Sequence, residues 1–168
     1  MQKGLTLIEL LVTLTVASIL LAVAIPSYEN IRNTQEIRNN TEVIFGFVDQ
    51  VMQKAKRSNK KVSFFLSENN GSWCMGASDS SSSSCDCVVN KSSCKVNNMP
   101  ATLNDISSSV SFHGLDGNQY FEFFGMRNSM LAGNISVSND AGVVKLLFSR
   151  NGRIRVCTED NIGGYAPC

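Results

Sequence analysis

"GLTLIELLVTLTVASILLAVAIP", Gly4 to Pro26, decides how the rest of the chain is read. From Leu5 to Ile25 there are 21 consecutive residues with Glu9 as their sole charge. At helical rise they reach about 30 Å, the thickness of a bilayer core. One membrane-spanning helix is therefore expected over 5–26, with Lys3 on the cytoplasmic side and everything beyond Pro26 outside. A carboxylate inside such a segment costs about 2.5–3.5 kcal/mol at mid-depth, so it needs either a partner or a route to the headgroups.

Beyond Pro26, which is expected to kink or locally melt the helix, apolar residues recur at Ile37, Ile44, Val48, Val51 and Ala55. Steps of 7, 4, 3 and 4 make one stripe on an amphipathic continuation over 27–57. After "KRSNKK" (Lys56–Lys61) the period changes to 2, and Val62–Leu66 reads as a first strand. "GSWCMGASDSSSSSCDCVVNKSSCKVNN" reads as a polar, serine-rich loop pinned by four cysteines, with Trp73 an anchor and Ser80–Ser84 solvated.

The second half is dense in hairpin signals. "SVSFHG" and "QYFEFF" flank Asp116-Gly117, "NISVS" and "VVKLLF" flank "NDAG", and "KLLF" and "RIRVC" flank "SRNG". In the last of these, a two-residue loop would mix apolar and charged residues on one face. A three-residue loop, Arg150-Asn151-Gly152 with Gly152 left-handed, instead sets Phe148 opposite Ile154 and Leu146 opposite Val156. Lys145, Arg153 and Arg155 then share the outer face, with Arg150 at the tip and the two strand arginines about 7 Å apart. Such a cluster either protects an edge strand from pairing or binds polyanions, and Glu159 and Asp160 are close enough in sequence to neutralise it. The fold class is α+β, a long helix on a mainly antiparallel sheet over 58–168.

The chain has 168 residues, 43% hydrophobic and 17% charged, which is globular rather than disordered composition. Its net charge of +1 offers no global attraction to nucleic acid, so any such case rests on local clustering. Six cysteines follow the apolar segment: Cys74, Cys85, Cys87, Cys94, Cys157 and Cys168. An even number beyond an export segment reads as disulfides. Cys157 with Cys168 would tie down the C-terminus, and Cys74 would pair within the Cys85 to Cys94 group. The same four clustered thiolates could hold zinc, but they lack the paired C-x2-C knuckles such sites favour. His113 is the only histidine and sits beside a turn. Without a Ser-His-Asp, Cys-His or phosphate-loop pattern, the residues argue against an enzyme, and no cofactor or metal is expected.

"KGLTLIELLVTLTVASILLAVAIPSY" resembles the N-terminus of type IV pilins and type II secretion pseudopilins over about 25 residues. The resemblance implies residues 1–4 as a leader, prepilin peptidase cleavage between Gly4 and Leu5, and N-methylation of Leu5. It makes Glu9 the fifth mature residue, where it would meet the Leu5 amine of a neighbouring subunit and set register during filament assembly. The alternative for Glu9 is snorkelling to nearby headgroups. Leu5 departs from the family's usual phenylalanine. The ending "LLFSRNGRIRVC" is similar to GspH/FimT/FimU-type minor pilins, which share Gly-Arg-x-Arg, here Gly152, Arg153, Ile154 and Arg155. FimT-like members imply double-stranded DNA binding in natural transformation through Lys145, Arg150, Arg153 and Arg155. FimU-like members and pseudopilins imply a structural priming or tip role in motility or secretion. Implied partners are major and minor pilins, prepilin peptidase and the inner-membrane assembly platform. The implied location is the bacterial inner membrane before assembly, then a periplasm-spanning pilus and the cell surface.

Overall fold

In a computed structural model that describes residues 6–69, 72–79, 85–89, 91–106, 120–160 and 162–168, the chain opens with one helix, α1, Leu7–Ser58. Its 52 residues reach about 78 Å. Among the described residues nothing buries the first half, and its most apolar stretch of mean hydropathy 2.5 is long enough to cross a membrane. The second half buries Ile37, Asn40, Thr41, Ile44, Val48, Val51, Met52 and Ala55, spaced by threes and fours. The expected stripe is thus present, widened by Met52 and by two polar residues. Thr41 settles its hydroxyl on the Ile37 carbonyl at 2.7 Å.

Pro26 neither ends nor melts the helix, which runs through it without interruption. Proline removes one N–H, but its φ is helical and the turns on either side keep their own bonds. The helix ends at Asn59, left-handed at φ 52°, whose N–H returns to Ala55 and Lys56. That close is a C-cap of the kind asparagine and glycine supply.

Four strands follow the helix and its cap: β1 (Lys61–Asn69), β2 (Ser72–Ser78), β3 (Lys95–Val96) and β4 (Met99–Pro100). Then come β5 (Thr102–Ile106), β6 (Tyr120–Phe124), β7 (Ser129–Met130), β8 (Gly133–Asn139), β9 (Gly142–Phe148), β10 (Ile154–Thr158) and β11 (Ala166–Pro167). They make a five-stranded sheet β5-β2-β1-β6-β7, a four-stranded sheet β11-β10-β9-β8 and the small β3-β4 hairpin. The pairs are antiparallel except β10 with β11, so the architecture is the α+β arrangement of the type IV pilin fold.

The segment read as a polar loop contains β2. Its alternation was masked by cysteine and glycine: Trp73, Met75 and Ala77 join the main core, while Cys74 faces a second core of Cys85, Cys87 and Cys94. Both faces are covered, so no polar side was left to mark a strand. β3 also lies within that segment and β4 directly follows it, the two joined by Asn97-Asn98, both at positive φ, the primed turn that suits a tight hairpin. β6 pairs with β1 and β7 among the described residues. The expected Asp116-Gly117 hairpin, His113 and Ser80–Ser84 lie outside the described residues.

The two main sheets share one core. Phe64 of β1 stacks on Phe121 of β6 at 4.5 Å, and Phe121 on Phe148 of β9 at 4.7 Å. Phe47 of α1 meets Phe64 edge-on at 6.5 Å. The aromatic column crosses from one sheet to the other beneath the helix, and each such burial contributes about 1.5–3 kcal/mol.

Candidate functional site

Two regions carry the candidate chemistry, at opposite ends of the chain. At the start of α1, Thr6 is the N-cap and Glu9 its reciprocal partner. The Thr6 N–H donates to Glu9 Oε2 at 2.9 Å, the Thr6 hydroxyl at 3.0 Å, and the Glu9 N–H returns to Thr6 Oγ1 at 3.3 Å. The charge that looked anomalous in the sequence therefore caps its own helix. Its signal in the sequence is Thr-x-x-Glu before an apolar run, the capping-box pattern. Gly4 and Leu5 lie outside the described residues.

At the other end, the β9–β10 hairpin has Phe148 opposite Ile154, Arg155 opposite Leu147 and Val156 opposite Leu146. That is the register of the three-residue loop. Gly152 is at φ +72° and its N–H donates to Ser149 O at 2.9 Å, while Ser149 N–H donates to Arg153 O at 3.0 Å. A left-handed position of this kind is open to glycine at little cost. Phe148, Leu146 and Val144 point into the core. Arg150, Arg153 and Arg155 are exposed, and none makes an ion pair among the described residues.

Lys145 differs from them, because its ammonium is ion-paired with Glu159. Asp160 is spent on structure: its Oδ2 accepts from the Val143 N–H at 2.7 Å. The acids that follow the strand thus leave the three arginines free and neutralise the lysine. One basic residue was missed altogether. Arg127 stands exposed on a 3-10 turn, Gly125–Arg127, that docks against the hairpin tip. Asn128 Nδ2 reaches Asn151 O at 3.4 Å, and Met130 N–H donates to Arg150 O at 3.2 Å. No pattern near Arg127 announces this, because the contact spans more than twenty residues.

The cysteines form three disulfides: Cys74–Cys87, Cys85–Cys94 and Cys157–Cys168. The four clustered thiols are thereby unavailable to zinc. A Cβ at Gly76 would fall 2.2 Å from Cys85 Sγ, so the cystine core needs glycine beneath it. The Cys157–Cys168 bond holds the final turn, where Arg38 of α1 donates to the Gly163 carbonyl. Burial raises the Tyr165 hydroxyl above its ordinary value, and the charge of Glu42 adds to it.

Residues 1–25 match the prokaryotic N-terminal methylation motif. That match, together with the long apolar helix and the sheet domain, supports a type IV pilin-like protein, a structural rather than catalytic class. The motif implies prepilin peptidase processing and association with other pilins, and with the apolar helix it indicates membrane anchoring before assembly. An uncharacterized protein of Haemophilus influenzae (strain ATCC 51907 / DSM 11121 / KW20 / Rd) is 29% identical over 90 residues, 52% of this chain and 53% of its own length. The chain therefore spans about half the length of that curated relative. No solved structure matches.

Proposed function

We propose that this chain is a minor type IV pilin of the FimT-like kind, contributing double-stranded DNA binding to uptake in natural transformation. Arg150, Arg153 and Arg155 are the phosphate contacts in this reading, with Lys145 recruited only if Glu159 releases it. The carrying observation is the set of exposed arginines on and beside β10 with no carboxylate partner among the described residues. Binding goes through phosphates, since the strand offers no interleaved aromatic platform for bases. Residues 1–4 act as leader, cleavage falls between Gly4 and Leu5, Leu5 is methylated, and 5–26 anchors the chain in the inner membrane until the pilus carries it to the cell surface. The assembly platform and other pilins are its partners.

The test is a DNA titration of the full chain in neutral detergent against salt. Three phosphate contacts give a slope near −2.7, so affinity falls about forty-fold between 50 and 200 mM salt. Arg153→Gln with Arg155→Gln abolishes transformation while leaving pili intact, and loss of pili in that variant argues against a dedicated DNA role. The second reading is a structural priming or tip subunit of a pilus or pseudopilus. It is favoured by the wholly exposed apolar half of α1, which needs neighbours whatever the domain binds. Under it, deletion removes filaments and no DNA shift occurs even at low salt.

A further inference from the structure

The end of the domain farthest from the apolar half of α1 is assembled from three separate parts of the chain. The last turn of α1 carries Arg57, the 3-10 turn carries Arg127, and the β9–β10 hairpin carries Arg150 and Arg153. Backbone contacts stitch them together. Gly125 N–H donates to Lys60 O at 3.0 Å, and a Cβ on Gly125 would fall 2.2 Å from Ala55 O. On the other side a Cβ on Gly152 would fall 2.7 Å from Asn128 O. The 3-10 turn is thus wedged between helix end and hairpin tip, and Arg127 belongs to the same surface as Arg57 and Arg150.

Charges at this end are sorted by type. Lys60 is bound to Asp79 at 2.8 Å and Lys61 to Glu122 at 2.7 Å, while Lys56 lies over the Phe123 ring at 5.7 Å. Arg57, Arg127, Arg150 and Arg153 are exposed with no ion pair among the described residues. The carboxylates at this end, Asp79 and Glu122, are held by those lysines, and Asp140 in the β8–β9 turn and Glu159 and Asp160 beyond β10 stand at the opposite rim. A chain of net charge +1 therefore presents a positive pole.

Resting on the DNA-binding reading above, we infer that the phosphate-binding surface is this whole pole, completed by Arg57 and Arg127, and not the β10 strand alone. Guanidinium forks match phosphate oxygens bidentately. A duplex offers one charge per about 1.7 Å of axis, enough to engage arginines spread over three segments at once.

The test is anisotropy of a labelled duplex with the full chain in neutral detergent, between 50 and 200 mM salt. Five contacts (Arg57, Arg127, Arg150, Arg153, Arg155) give a slope near −4.5, and Arg57→Gln with Arg127→Gln flattens it to about −2.7. Arg32→Gln, an exposed arginine just beyond the apolar half, leaves the slope unchanged. A wild-type slope near −2.7 that the double variant does not alter overturns the pole and leaves the strand reading standing. Equal flattening by Arg32→Gln overturns it in favour of general charge. A double variant that changes self-association but not the DNA slope assigns the pole to another copy of the chain. No binding by wild type at low salt removes the DNA reading and this inference together.

Discussion

Asp79 ties three parts of the fold together, accepting from Lys60 Nζ at 2.8 Å and from the Asn97 N–H at 3.0 Å. Burial works to raise its carboxyl, but these donors outweigh burial and hold it below the usual aspartate range. Because the native value lies under the unfolded one of about 3.9, the stabilisation is present above that pH and is lost as pH falls through the native value. Asp79→Asn should cost about 0.5–1 kcal/mol at neutral pH. Urea midpoints should show the gap to wild type closing in acid, and a gap independent of pH would remove the charge from the explanation. Gly125 acts through space alone. Both atoms its Cβ would strike first are backbone atoms of Ala55, so the neighbour cannot swing aside. Gly125→Ala should cost about 1–3 kcal/mol, read as a lowered thermal midpoint.

Among elements, α1 and the β9–β10 hairpin were legible because their rules are local. The stripe from Ile37 to Ala55 follows helical period, and the hairpin register follows from which faces can be apolar once Gly152 takes the loop. β2 was not legible, since the layer that covers its second face is two disulfides, one of them anchored on its own Cys74. β11 was also missed: it is two residues held parallel to β10 and tied by Cys157–Cys168. Cys157→Ser with Cys168→Ser should cost about 3 kcal/mol, as expected for a short closed loop. Limited proteolysis should then cut near the C-terminus first, and unchanged protection there would mean that Arg38 and the β10–β11 pairing suffice.

For the molecule as a whole, the apolar half of α1 and the exposed Val43 and Phe45 are surfaces that only neighbours or lipid can cover. Glu9 tests which of its two candidate tasks matters. Glutamine also serves at the third position of a capping box, so Glu9→Gln keeps the helix start and removes only the charge. If Glu9 pairs with a neighbour's amine, that variant should fold normally yet give few or no sheared filaments. Normal filament yield would reduce Glu9 to a cap.

By itself the sequence determined the rod, its buried stripe, the outward row of arginines and the pairing of the last two cysteines, because period, turn chemistry and short loops act within a few residues. Only the tertiary structure decided that Glu159 takes Lys145 out of the free cations and that Arg127 stands beside the hairpin tip. Each depends on where separate segments meet: β9 beside the end of β10 for the first, and for the second Gly125 against Ala55 and Gly152 against Asn128. No local periodicity records such meetings, since the free energy that selects them comes from closing the shared core of the two sheets and the helix.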